Sequence, residues 1–384
     1  MPTTQKKPRA IPSSLGALRD NMTKRYGDGQ VTKRSRVEPY EVIPTGSMSL
    51  DLALRVGGWV RGRIHEVPGP EGVGKTTLCI NSARNAQKKY PDLAVGFIDM
   101  EQTFDWDWAE KQGLDTSDER FLHVYPENSE DVSDQVKAMM ETGLFSMVIV
   151  DSIGGMESKQ AFDKDAEEHV MGRNAQIITR MVKRLASEAR KHKVAVLLVN
   201  QYRANLANPQ GGDQSAGPKA LKYATTTKVD LRRTGTEPLK YDFKDGEGPV
   251  VVGVEVKARV SRNKVAAANK SGTFWIINQE TPTWGPVGID QAAEAYAIGI
   301  FTEVIEVQPA GYHWMPWTTD KKERLHGKAK VMEFLRANPD KAEVVRLAAV
   351  EKMSHEVLPQ EMIDFAAEDG DFKVDAATGE MVSA

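Results

Sequence analysis

Apolar residues along this chain gather into two alternating kinds of run. Short, almost unbroken segments bounded by polar or turn residues read as strands: RIHEVPG (63–69), AVGFIDME (94–101), FLHVY (121–125), MVIVDS (147–152), VAVLLVNQ (194–201), TKVDLRR (227–233), VVGVEVKARV (251–260) and TFWIIN (273–278). Between them, apolar positions recur at helical spacing. Cys79, Ala83, Ala86 and Tyr90 fall on one face, and Ile178, Met181, Val182, Leu185 and Ala189 form a second stripe. This alternation, from Arg63 to about Asn278, predicts an α/β core with a largely parallel central sheet.

The texture differs on either side of that core. Ser13 and Ser14 precede Leu15, Leu18 and Met22, spaced like a short amphipathic helix, and a charged segment separates them from IPTGSMSLDLAL. The stripe is thus set to bury against another molecule or against its own domain. QETPTWGPVG (279–288) is a turn-rich boundary, after which 290–301, 328–340 and 341–353 read as helices of a smaller unit. From about Asp369 the chain is acidic and poor in apolar residues, so no element is expected there. The division predicted is 1–40, a basic segment with a candidate oligomerisation helix; 41–279, the core; 280–368, a small α+β C-terminal domain; and 369–384, an acidic disordered tail. No internal repeat is present.

Composition narrows the class. The chain has 384 residues and a net charge of −3, ordinary for a globular protein and unlike one that coats nucleic acid with its whole surface. No apolar run approaches the ~20 residues of a membrane span, and the N-terminus lacks a signal-peptide core, so a cytoplasmic protein without membrane partners is expected. The single cysteine, Cys79, lies on an apolar helical face and reads as a core residue. Charge is uneven: basic residues dominate 1–40 and acidic residues the last stretch, as for subunit contacts or a tail competing with a polyanion.

The chemistry is concentrated at strand ends. Gly69, Pro70, Glu71, Gly72, Val73, Gly74, Lys75, Thr76 and Thr77 fit G-x-x-x-x-G-K-[ST], a phosphate-binding loop in the required strand–loop–helix context. Its glycines let backbone N–H groups curl round a polyphosphate at a helix N-terminus. Lys75 is then set to contact the β- and γ-phosphates and Thr76 to ligate Mg²⁺. Asp151 closes MVIVD where a carboxylate can hold that metal, with helix capping as the competing role. Glu101 closes GFIDME and is the candidate base that activates water, with Asp99 its competitor. Gln201 ends VNQ as a neutral group able to bond the γ-phosphate, although Asn200 and Gln201 also suit a turn. A long glycine-rich stretch follows. Arg203 and Lys219 there, with Arg173 in EEHVMGRNAQ, can face a phosphate backbone or simply solvent.

Taken together, TGSMSLDLAL, GGWVRGRIHEVPGPEGVGKTT, FIDMEQTFD, VIVDS, LLVNQYR, ALKYATTTKVDLRR and RNKVAA resemble the bacterial RecA family of homologous recombinases, phage-encoded members included, over roughly residues 12–350. The resemblance implies a RecA-like P-loop ATPase with ATP and Mg²⁺ as cofactors. It would form a helical filament of itself on single-stranded DNA and exchange strands with duplex DNA in recombination and repair; loader and single-strand-binding proteins are partners it leaves open. It assigns Lys75 and Thr76 to phosphates and Mg²⁺, Glu101 to catalysis, Asp151 to the metal and Gln201 to γ-phosphate sensing. Asp105 and Trp108 match adenine-holding residues, and Trp284 supplies a second flat surface.

Lys222, Arg262 and Lys264 match basic residues that reach the neighbouring subunit's ATP, with Arg262 where Lys is usual. Tyr223 matches an aromatic that links ATP state to filament geometry. Met171, Gly172 and Arg173 correspond to the first DNA-binding loop. Arg203 to Gly217, with Asn205 and Leu206, correspond to the second, which is about one residue shorter than usual. Leu206 stands near a common aromatic position, and Gly217, Pro218 and Lys219 replace a more usual Gly-Gly-Asn. Two other readings remain at this point: a ring-forming DNA helicase on the same core, and an accessory filament protein that binds ATP and DNA without turnover.

Overall fold

The strand-forming runs assemble into one 11-stranded sheet. The computed structural model describes residues 14–26, 39–127, 129–153, 167–203, 214–215, 219–243, 248–355, 372–374 and 381–383. Its spatial order is Gly288–Ile289, Lys270–Ile277, Val250–Asn263, Thr227–Arg233, Ile64–Gly69, Ala195–Arg203, Phe145–Asp151, Ala94–Asp99 and Phe121–Val124, with Leu239–Tyr241 and Gln214–Ser215 off that path. From Thr227–Arg233 through Phe121–Val124 neighbours run parallel, and beyond Thr227–Arg233 the order turns antiparallel.

Unbroken apolar strands are required because the parallel part is covered on both faces. Along 194–199 the side chains alternate between two cores. Ala195, Leu197 and Val199 join Leu78, Cys79, Ala83 and Ala86 of the Lys75–Lys89 helix. Val194, Val196 and Leu198 join Val132, Val136 and Met140 of Ser129–Thr142, and Ile178, Met181, Val182, Leu185 and Ala189 of Glu167–His192. Both helical stripes read from the sequence therefore face the sheet. The Glu167–His192 helix starts earlier than its stripe suggested and takes in EEHVMGRNAQ. Met171, Gly172 and Arg173 lie within this helix and not in a loop, because the segment is rich in helix formers and one glycine does not interrupt it.

A third core, with Ala292, Ala295, Val331, Leu335 and Val345, joins the Gln291–Phe301, Lys328–Ala337 and Pro339–His355 helices. Beside them lies a small antiparallel sheet, Glu306–Gln308, Tyr312–Trp314 and Leu325–His326, the β part of this α+β unit, whose strand positions the sequence pattern did not mark. Its strands are two or three residues long and bounded by Pro309, Gly311 and Pro316, which leaves no run long enough to read as a strand. Near the C-terminus Phe372–Val374 pairs antiparallel with Met381–Ser383, where no element was expected; both segments carry apolar residues that suit a short strand.

The C-terminal helices are keyed to the core by a buried carboxylate. Glu294 accepts from Ser47 Oγ (2.7 Å), Met48 N (2.8 Å), Ser49 N (3.0 Å) and Ser49 Oγ (2.7 Å), at the N-terminus of the Met48–Leu54 helix. Asp51 of that helix accepts from Thr45 N at 2.8 Å. Burial pushes the Asp51 carboxyl up to about 8 and Glu294 to about 6; the hydrogen bonds oppose the rise, and Glu294 adds to that of Asp51. A folded-state value above the unfolded one means stability that is present at low pH and lost as pH rises through the folded value. Asp51→Asn should therefore change unfolding free energy little near pH 4 and become more stable than the parent by on the order of a few kcal/mol at pH 8. Urea denaturation at both pH values measures this; equal effects would contradict it.

The chain divides into two compact units, Met1–Tyr40 and Glu41–Ala384. In the first, Ser14 Oγ accepts from Ala17 N at the start of the Leu15–Tyr26 helix, and Leu15, Leu18 and Met22 are exposed. Among the described residues no helix is long and apolar enough to cross a membrane.

Candidate active site

The phosphate loop leaves the buried Ile64–Gly69 strand and enters the Lys75–Lys89 helix through Gly74, whose φ of +97° favours glycine. A Cβ there would lie 2.2 Å from Ile276 Cδ1, and one on Gly69 would lie 2.9 Å from the Leu231 carbonyl oxygen. The loop is thus closely backed by the sheet while its backbone curls outward, as a polyphosphate cradle requires. Gly74→Ala should cost about 2–4 kcal/mol, combining left-handed strain with overpacking. Denaturant unfolding tests it; a loss below about 1 kcal/mol would mean that the loop relaxes freely.

Around the loop the strand ends deliver the expected side chains. Lys75 Nζ donates to the Pro70 carbonyl at 2.7 Å. Burial lowers the Lys75 pKa, and the Asp151 and Glu101 carboxylates offset part of that fall. Thr76 Oγ1 donates to Asp151 Oδ2 at 2.7 Å, so the two groups assigned to Mg²⁺ are already paired. Burial raises the Asp151 carboxyl to about 6 against the Thr76 hydrogen bond, a sign that its anion suits a nearby cation. The donor set, one hydroxyl and one carboxylate beside a phosphate cradle, fits a metal that takes its remaining ligands from phosphate and water.

Glu101 and Asp99 have different surroundings. Glu101 is exposed, and its Oε1 accepts from Gln201 Nε2 (2.9 Å) and Ser152 Oγ (2.5 Å). Asp99 is 2% exposed, and its oxygens accept from Glu101 N (3.1 Å) and Phe104 N (3.0 Å). The accessible carboxylate is therefore Glu101, while Asp99 is committed to the turn. Asn200 is buried and donates to Glu66 Oε1 at 2.9 Å, which leaves Gln201 as the side chain at the site. Sequence reading missed Ser152 and the Glu66–Asn200 pair. A serine directly after the strand-end Asp151 was the one signal for Ser152.

The nucleoside-side residues are more dispersed. Asp105 caps the Trp106–Lys111 helix through Trp108 N (2.9 Å), and Trp108 packs against the core that includes the phosphate-loop helix. Trp284 sits in the Thr281–Gly285 turn with the Arg336 guanidinium 5.9 Å from its ring. That turn leads to Gly288, where an added Cβ would meet Gln112 at 3.0 Å, and Gln112 caps the Trp106–Lys111 helix.

Lys222, Tyr223, Arg262 and Lys264 gather elsewhere. Lys264 Nζ donates to the Tyr223 carbonyl, and Lys264 N to Thr226 O at 3.0 Å. Thr226 N donates to Ile64 O (2.7 Å), and Asn263 is in register with Thr227. This cluster therefore lies at the Ile64 end of the strand whose Gly69 end carries the phosphate loop, about 17 Å away along the sheet. Tyr223 is 78% exposed there. The chain brings these four residues together without bringing them to its own phosphate loop.

Of the residues expected at DNA, Arg203 ends the Ala195–Arg203 strand, where Tyr202 and Arg203 pair with Ser215 and Gln214, and Lys219 opens the Lys219–Ala224 helix. Asn205, Leu206 and Gly217 lie outside the described residues, as do the side chains of Met171, Arg173, Arg203 and Lys219.

Residues 14–281 match the RecA N-terminal domain family. Protein RecA of Streptomyces ambofaciens is 31% identical over 376 residues, covering 97% of this chain and 93% of that protein. Protein RecA of Streptomyces rimosus is 30% identical over 362 residues (93% and 89%), and that of Thermotoga neapolitana 29% over 356 residues (92% and 95%). A phosphate loop, a hydrogen-bonded Thr76–Asp151 pair and a strand-end glutamate thus occur in a chain collinear with recombinases almost end to end. The chain belongs to the RecA family: it is a DNA-dependent ATPase that uses ATP and Mg²⁺, forms filaments on single-stranded DNA, and carries out strand exchange in recombination and repair.

Proposed function

We propose that each ATP site is shared between protomers. The phosphate loop, Thr76, Asp151, Glu101 and Gln201 of one chain form one wall, and Lys222, Tyr223, Arg262 and Lys264 of the next form the other. The observation that carries this reading is the position of the second cluster, at the opposite end of its own sheet from its own phosphate loop. A cation that is to act on phosphate from there needs another molecule's phosphate. Head-to-tail stacking supplies one, and it propagates as an open helix.

Bound Mg²⁺·ATP supplies the γ-phosphoryl group and the metal that polarises it. Loop amides and Lys75 neutralise phosphate charge, and Thr76 with Asp151 fixes the metal. Trp108 and Trp284 are assigned to the adenine faces, with Asp105 at its polar edge. Glu101 orients a water and takes its proton; Ser152 and Gln201 hold the receiving oxygen in place. Gln201 joins the base to the strand that continues into the second DNA loop, so a change of its partner at the γ-phosphate is passed to Arg203 and beyond. Arg262 and Lys264 of the neighbouring protomer stabilise charge that builds on the transferring group. DNA contacts are assigned to Met171, Gly172, Arg173, Arg203, Asn205, Leu206, Gly217 and Lys219.

We assign 1–40 to packing on the adjacent protomer, 41–279 to the ATPase core, 280–368 to a C-terminal domain, and 369–384 to an acidic tail that competes with DNA for basic surfaces. Cytoplasmic residence and loader or single-strand-binding partners complete the proposal. Binding of a fluorescent ATP analogue to unassembled protein tests the division of labour. Lys75→Ala should lose it and Lys264→Ala should keep it; equal loss in both would place Lys264 at its own chain's nucleotide and overturn the shared site.

A further inference from the structure

We infer that Asp99 and His123 form a buried pair that positions Glu101, and that hydrolysis depends on it although neither residue reaches the nucleotide. This inference rests on the assignment of Glu101 as the base. Asp99 closes the Ala94–Asp99 strand, and the turn that presents Glu101 is tied down at three amides. Met100 N donates to Asp151 O (2.7 Å), Glu101 N to Asp99 Oδ1 (3.1 Å) and Phe104 N to Asp99 Oδ2 (3.0 Å). Each oxygen of Asp99 therefore holds one end of the turn, as an Asx-type cap does. A carboxylate can accept at both oxygens; an amide cannot.

His123, on the neighbouring Phe121–Val124 strand, faces the same carboxylate. Its Nε2 is 3.6 Å from Asp99 Oδ2, its side chain is 4% exposed, and that nitrogen has no hydrogen-bond partner. The distance is beyond a formed hydrogen bond but within a small side-chain adjustment of one. A wall of rings fixes the imidazole: Phe97 (5.8 Å between centroids), Phe104 (4.8 Å), Trp106 (5.0 Å) and Tyr125 (4.3 Å). Phe104 is both a ring of that wall and the residue whose amide Asp99 holds. Asp99 itself is buried from water, so its oxygens are directed to the turn amides and to His123. Were the pair only a fold element, its loss would reduce the amount of folded protein and leave turnover per bound nucleotide intact. A positioning role predicts the reverse, because a small misplacement of a catalytic group has a large effect on rate.

The test measures ATP turnover per occupied site in Asp99→Asn, His123→Phe and His123→Gln filaments, with thermal unfolding and binding of a fluorescent ATP analogue in parallel. Expected is a kcat lowered on the order of ten- to a hundredfold in Asp99→Asn and by about tenfold in His123→Phe, with KM for ATP and analogue affinity within about twofold. His123→Gln, whose amide places a donor near the former Nε2, should recover most of the loss. Folded, nucleotide-binding Asp99→Asn or His123→Phe with parental kcat would overturn the inference, as would loss without recovery in His123→Gln. Should Asp99→Asn fail to fold, the two His123 variants decide alone. Glu101→Gln is the control for the underlying assignment. If it still turns over, Glu101 is not the base; if it is inactive while Asp99→Asn and His123→Phe are not, only the positioning role falls.

Discussion

Glu101→Gln filaments should bind ATP and DNA as the parent does but hydrolyse ATP slower by about 10² to 10⁴, the usual contribution of a positioned general base. The substitution isolates the chemistry because glutamine keeps an oxygen able to accept from Ser152 Oγ and Gln201 Nε2. What disappears is the capacity to take a proton. Steady-state hydrolysis with saturating single-stranded DNA measures the effect, and electron microscopy of the same sample shows whether filaments persist. Turnover within tenfold of the parent would move the role elsewhere. Asp99 would be a poor successor, since both its oxygens already serve turn amides.

The combined change Arg262→Ala and Lys264→Ala should lower DNA-stimulated hydrolysis on the order of 10³-fold, the lower end of what a cation delivered in trans contributes to phosphoryl transfer. The two residues flank Asn263, whose Nδ2 donates to Leu54 O and whose Oδ1 accepts from Val265 N and Ala266 N. The loop is therefore held by Asn263, and removing its neighbours should leave it in place. Lys264→Ala also releases the Tyr223 carbonyl, so the path from nucleotide to filament geometry should weaken with the rate. Nucleotide binding by the unassembled variant should stay as in the parent. Hydrolysis within tenfold of the parent would remove these residues from the mechanism.

How much of this the sequence discloses depends on how local each feature is. The phosphate loop is legible because its requirements lie within nine consecutive residues, Gly69 to Thr77. The parallel strands are legible because burial on both faces demands unbroken apolar runs, as at 194–199. Glu101 against Asp99 was not decidable from spacing, since both end the same strand. Three-dimensional placement of the Glu101 and Phe104 amides, both held by Asp99, leaves Glu101 the accessible carboxylate of the two. His123 gave no signal, because its partner Asp99 lies on a different strand and the link is made by sheet register. Lys222 and Lys264 converge through antiparallel pairing and a loop, so only a family likeness pointed to them. The start of the Glu167–His192 helix was misread because its single glycine, Gly172, was weighed more heavily than the helix formers around it.

The central claim is that one ATP is handled by two chains, and mixing tests it most directly. Lys75→Ala and the Arg262→Ala, Lys264→Ala variant, each inactive alone, are combined in equal amounts on single-stranded DNA before hydrolysis is measured. In a shared site, an intact phosphate loop from the second variant meets intact basic residues from the first at about one interface in four of a head-to-tail filament, and activity returns to roughly that fraction of the parent's. If all these groups served their own chain's nucleotide, every site in the mixture would remain defective. No recovery in filaments that contain both variants would contradict the account.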